Sequence, residues 1–149
     1  AFQRRARKAR AREQPVDRVV LSISGPYGSD EKSWADAIDA TVETIQKKLP
    51  TVRQIILQAV VGGPGGEPCP APAESRGRGD GRVRASWQCA HIVQGIREVV
   101  KRRNGAAVAV IAGFQPTVRT CADYADALGH LTADGAAAAA RAIGAHYAR

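Results

Sequence analysis

Three short apolar runs, separated by segments of helical periodicity, predict an α/β domain built on a parallel sheet. The runs are "VDRVVLSISG" (16–25), "RQIILQAVV" (53–61) and "AAVAVIAG" (106–113), all too short for a buried helix and rich in Val, Ile and Leu. Near-continuous apolar runs are the pattern of strands buried on both faces, which parallel sheets require because helices cover each side.

The first run ends at Gly25-Pro26, a turn signal. From Trp34 the spacing changes: Trp34, Ile38, Val42, Ile45 and Leu49 share one face of a helix, with Ser33 placed to cap its start and Pro50 to close it. The second run stops at Gly62-Gly63-Pro64. A second helix presents Ile92, Ile96, Val99 and Val100, begins near Ser86 or Trp87, and ends in Lys101, Arg102 and Arg103, which suit the negative end of a helix dipole. The third run is entered through Asn104-Gly105, and a last, Ala-dominated helix is expected from about Ala133 to Tyr147. The segment 62–85, "GGPGGEPCPAPAESRGRGDGRVRA", is far longer than a usual crossover loop, which marks it as functional, disordered or both.

The 149 residues, 44% apolar and 24% charged, suit one globular domain. No apolar stretch approaches the roughly 20 residues of a membrane-spanning helix. The net charge of +8 suggests a nucleic-acid ligand until it is located. Arg4, Arg5, Arg7, Lys8, Arg10 and Arg12 stand in the first twelve residues with no acid among them, leaving 16 basic against 14 acidic side chains elsewhere. Residues 1–15 therefore read as a basic arm, disordered or helical, and 16–149 as a nearly neutral domain. An arm without interleaved aromatics beyond Phe2 offers no base-stacking platform, so nucleic acid is not the expected partner.

The chain has no Met, so Ala1 is not an unprocessed start, and the expectation is that the sequence begins inside a longer protein. The arm lacks the apolar stretch of a secretory signal, and no compartment is assigned. Cys69, Cys89 and Cys121 are an odd set without metal-ligand spacing, compatible with one disulfide and one free thiol. "GGPGG" (62–66) lacks the Lys-Ser or Lys-Thr of a phosphate loop, and "RGD" (78–80) reads as coincidence in an Arg/Gly-rich segment.

Ligands of an open parallel sheet bind beyond the carboxyl ends of its strands, which directs attention to the residues after 25, 61 and 113. After the third strand, Asp123, Asp126 and His130 precede a helix opened by Thr132. An acid close to a His on such a loop orients the imidazole through one ring nitrogen and leaves the other as a general base. Asp126 is the preferred partner, with Asp123 the substitute if the loop folds differently. His91 and His146 fall within predicted helices without nearby acids and read as structural.

The stretch "DALGHLTADG" (126–135) resembles the last conserved block of the SGNH (GDSL-type) hydrolases, in which a catalytic Asp and His precede L-T/S-x-x-G and a C-terminal helix. Pro50, Ile55 and Leu57 match that family's P-x-x-x-x-I-x-L entry into a strand, and the resemblance spans approximately 16–148. It implies a three-layer, flavodoxin-like sandwich of the SGNH type, lacking its N-terminal strand or strands, and ester hydrolysis by a Ser-His-Asp mechanism. His130 and Asp126 would be catalytic, Gly25 would contribute to the oxyanion hole, and no metal or organic cofactor is called for. The family's Asp and His stand three apart whereas these are four apart, Gly129 being the extra residue. Tyr27 occupies the place of the family's oxyanion Asn, and no Ser has the GDS setting of the nucleophile, which is therefore expected before residue 1.

The implied substrate is a small ester, including an acylated carbohydrate or lipid, with the 62–85 loop selecting among them. A chain lacking the preceding strand would also expose the edge of "VVLSIS" (19–24) to self-association. Two other readings stand beside this one: a non-catalytic SGNH-like module that binds a carbohydrate or partner, and a small basic nucleic-acid-binding protein.

Overall fold

In the computed structural model, which describes residues 15–75 and 81–148, the three apolar runs form one parallel sheet. The strands are β1 (Arg18–Ile23), β2 (Gln54–Ala59) and β3 (Ala109–Ala112), in the order β1-β2-β3. Val19 pairs with Ile55 and Ile55 with Val110, so one row of aliphatic side chains crosses the whole sheet. The helices are α1 (Glu31–Lys48), α2 (Arg84–Arg102) and α3 (Ala133–Tyr147). This alternation is an α/β architecture compatible with a flavodoxin-like sandwich. Most of the basic arm, and the Arg-Gly-Asp tripeptide, lie outside the described residues.

The main core lies between the sheet and the α1/α2 pair. Ile23, Ile55, Leu57 and Val110 meet Trp34, Ile38 and Val42 of α1 and Ile92, Ile96 and Val99 of α2. The helices approach closely because Gly95 faces Trp34: a Cβ at Gly95 would stand 2.9 Å from the Trp34 Cβ. Lys101 and Arg102 stand in the last turn of α2 and Arg103 at its C-cap, as expected, and Arg102 and Arg103 also cross to α1 and bind Asp36 and Asp39.

Burial of the strands differs from the expectation of two covered faces. Only β2 is buried on both; β1 alternates, with Val19, Leu21 and Ile23 toward the helices while Val20 is 44% exposed, and in β3 Ile111 is 39% exposed. The run in β1 is in fact Arg18-Val20-Ser22 on one side and Val19-Leu21-Ile23 on the other, the alternation of a half-covered edge strand. The second face is crossed by the end of α3, where Tyr147 Oη donates to Gln58 Oε1 at 3.0 Å. Along α3, Gly135 and Ala139 are buried, so its approach depends on small residues.

Helix starts also differ. Asp30, not Ser33, caps α1: its carboxylate accepts from the Lys32 and Ser33 amides, and the Ser33 hydroxyl donates to it. Helix α2 begins at Arg84, before Ser86, with no side-chain cap. Thr132 caps α3 as expected, accepting from the Gly135 amide at 3.0 Å.

Candidate active site

The described part of the 62–85 segment is folded against the end of the sheet. Pro70 pairs antiparallel with Arg82, and Gly62 pairs with Thr117, extending the line of β2 beyond its last strand residue. A disulfide joins Cys69 to Cys121 across 52 positions, linking this segment to the loop after β3. Cys69, Val83, Val118 and Tyr124 form a small second core there, and the Tyr124 hydroxyl donates to Val61 O at 2.7 Å. Cys89 is the free thiol; it is buried, its pKa is pushed up to about 11 by that burial, and it accepts from Gln115 Nε2, so it is no thiolate nucleophile.

On this platform stands the loop with the predicted pair. Tyr124 and Leu131 bridge antiparallel, and Ala125 N donates to His130 O at 2.7 Å, so 125–130 form a closed turn that returns His130 beside Asp126. Asp126 Oδ1 accepts from the amides of Leu128, Gly129 and His130 at 2.9, 3.0 and 3.1 Å, while Oδ2 meets His130 Nδ1 at 2.5 Å. The His130 hydrogen bond, then the backbone bonds, hold the Asp126 carboxyl below its ordinary pKa despite partial burial. An ionised Asp126 accepts a proton-bearing Nδ1, which leaves the Nε2 lone pair free on a ring whose side chain is 72% exposed.

Gly129 immediately precedes His130 in the turn between acid and base. Its φ of +105° lies in the left-handed region that favours glycine, and a Cβ there would fall 2.3 Å from Ala85 Cβ. The turn therefore lies directly on the start of α2, and its carbonyls take the place of the missing cap: Ala127 O accepts from Arg84 N and Leu128 O from Ala85 N. Asp123, the substitute acid, is committed elsewhere. It binds the Arg119 side chain through both carboxylate oxygens, a pairing that lowers its pKa, and its own carbonyl accepts from Thr132 N.

His130 opens onto a cleft of about 380 Å³ whose walls include Ser24, Gly25, Val61, Gln88 and Leu131. Gly25 and His130, 105 positions apart in the chain, thus share one site at the carboxyl edge of the sheet. Tyr27 does not line it. That ring packs edge-on against Trp34 at 5.2 Å, in a neighbouring groove of about 310 Å³ between β1 and α1. Ser24 lies on the cleft wall just past β1, but no serine hydroxyl among the described residues is bonded to the His130 ring.

No protein-family model matches the chain, and no curated protein or solved structure matches it either. The described residues contain no group of three or more His, Cys, Asp or Glu placed to hold a metal ion, and no helix long and apolar enough to cross a membrane. His91 and His146 lie in α2 and α3, against Trp87 and Phe114 respectively. Sequence reasoning missed Gln88. It occupies the apolar stripe of α2, four residues before Ile92 and eight before Ile96, where a polar side chain is out of pattern.

Proposed function

We propose that this cleft is the acyl-transfer site of an ester hydrolase of the SGNH type. The observation that carries the reading is the Asp126–His130 bond at the carboxyl edge of a parallel sheet, with Gly25 on the same cleft. Asp126 holds the Nδ1 proton and stabilises the imidazolium. His130 Nε2 takes the proton of a serine hydroxyl as its oxygen attacks the ester carbonyl carbon, then returns that proton to the leaving alcohol. Water repeats the sequence to release the acid. The Gly25 amide is one donor to the oxyanion. The nucleophile in this reading is supplied from outside the described residues.

Val60, Val61 and Leu131 give the cleft an apolar wall for a small acyl chain, and Arg84 on the same cleft adds one cation. The test is aryl acetate hydrolysis by the 149-residue chain and by the protein as its gene encodes it, each with His130→Ala and Asp126→Asn. The expected result is negligible turnover by the chain alone, and turnover by the gene-encoded protein that falls sharply in both variants. Hydrolysis indifferent to His130→Ala would overturn the reading, and turnover by the chain alone that vanishes in Ser24→Ala would place the nucleophile at Ser24.

A further inference from the structure

Resting on the hydrolytic reading, we propose that Arg84 is the specificity-determining residue of this cleft, and that the ester it selects carries a carboxylate beyond the reacting carbon. Among the described residues the cleft walls hold two ionisable side chains, Arg84 and His130, and neither is an acid. Asp126 beside them is already spent: Oδ1 accepts from three backbone amides and Oδ2 meets the imidazole, so its charge is answered within the turn. Arg102, Arg103 and Arg119 each hold an aspartate. Arg84, by contrast, is exposed and forms no ion pair with a described residue, so its cation is available to a ligand entering the cleft.

Helix physics gives no reason for an arginine at this position. Arg84 is the first residue of α2, at the positive end of the helix dipole, where acids are favoured and cations disfavoured. Helices α1 and α3 follow that rule with Glu31 and Asp134 in their first turns, whereas α2 has no acid there. The terminus itself offers no amide to an anion at this point, because Arg84 N and Ala85 N already donate to Ala127 O and Leu128 O. Recognition therefore falls to the side chain. One guanidinium matches one singly charged group, and its flat fork fits a carboxylate through two parallel N–H···O bonds. The same two backbone bonds tie the start of α2 to the turn that carries His130, so an ester anchored on Arg84 brings its carbonyl to Nε2 in a fixed relation.

Benzoate and benzamide, alike in shape and different in charge, are the probes. Added to the 149-residue chain and followed by NMR, benzoate is expected to shift the Arg84 Nε–H and the His130 ring saturably, and added salt to weaken the effect. Benzamide should leave Arg84 unmoved. Residue-resolved signals separate this binding from any at the basic arm. In the gene-encoded protein, 4-acetoxybenzoate presents a carboxylate on the alcohol side and an aryl hemisuccinate presents one on the acyl side, each compared with its neutral methyl ester. For one of the two, Arg84→Gln should lower the charged-to-neutral ratio of kcat/KM by about fivefold, through KM rather than kcat, while Arg84→Lys keeps part of it. The arm that responds identifies the side. An Arg84 signal unmoved by benzoate overturns the assignment, as does a charged-to-neutral ratio that is the same in parent and Arg84→Gln for both esters. Hydrolysis that needs His130 but shows no such change overturns the role of Arg84 alone, whereas a benzoate shift at Arg84 in a protein whose hydrolysis ignores His130 overturns the hydrolytic reading and leaves the carboxylate site.

Discussion

The sheet core and the platform beneath His130 lie end to end, yet they are held by different physics. In the first, Ile55, Leu57, Ile92 and Val99 are at most 1% exposed, and stability comes from aliphatic area removed from water and from close packing. In the second, four buried side chains make a cluster too small to stand on burial, and point connections replace area: the Cys69–Cys121 bond, the Tyr124 hydroxyl on Val61, the Arg119–Asp123 pair and the amides gathered by Asp126. A scaffold built from repeated small contributions tolerates change at any one of them. A platform built from a few connections responds sharply to each, and it positions the His130 side chain with little mass.

The largest test of this division removes the disulfide. Replacing Cys69 and Cys121 together by Ser opens a loop of 52 positions and should cost about 4 kcal/mol by chain-entropy reasoning. Hydrogen exchange should accelerate first at the Ala125 and Thr132 amides, which bond within the platform, and later at β2. Uniform acceleration would show that the two regions open as one unit.

Leu57→Ala, in the sheet core, should cost about 3 kcal/mol, seen as a lower denaturant midpoint by every probe. The contrasting change on the open face, Val20→Ala, should stay within about 0.5 kcal/mol. A comparable loss at Val20 would mean that this face is covered in solution, and sedimentation would then distinguish self-association from a cover supplied by the chain itself.

Gly129→Ala tests the platform's geometry at a cost of about 2 kcal/mol, from the left-handed backbone and the collision with Ala85. Its expected signature is local: the bond between His130 and Asp126 loosens, read as changed His130 ring chemical shifts by NMR, while the exchange of β2 amides is unaltered.

The smallest effect is electrostatic. The folded pKa of Asp126 is depressed, so its contribution is present in full above the ordinary carboxylate pKa and is lost as pH falls through the lower folded value. Platform amides should therefore loosen below about pH 4 before those of the sheet. Asp123, depressed by Arg119, titrates in the same acidic window, so the difference between the parent and Asp126→Asn isolates the Asp126 part. An identical acid profile in the variant would remove Asp126 from the linkage.

Much of this molecule is legible from spacing. The Trp34–Ile38–Val42 stripe, the Ile92–Ile96–Val99 stripe and the Thr132 cap specify helices through local geometry, and spacing put Asp123 and Asp126 within reach of His130, of which the structure bonds Asp126. What spacing could not determine depends on distant segments. Whether "VVLSIS" has one covered face or two is decided by what else packs there, and α3 brings only a narrow line of small residues and Tyr147 to that side. The cap of α2 was unreadable because its partners, the carbonyls of Ala127 and Leu128, are more than forty residues away. The pairing of Cys69 with Cys121 joins segments 52 positions apart while Cys89 stays buried in α2, and the isolation of Gln88, whose buried Nε2 has no hydrogen-bond partner among the described residues, is a property of its surroundings. Local hydrogen bonds and periodic burial are written in the order of residues; the satisfaction of a buried group is settled only when the chain has closed around it.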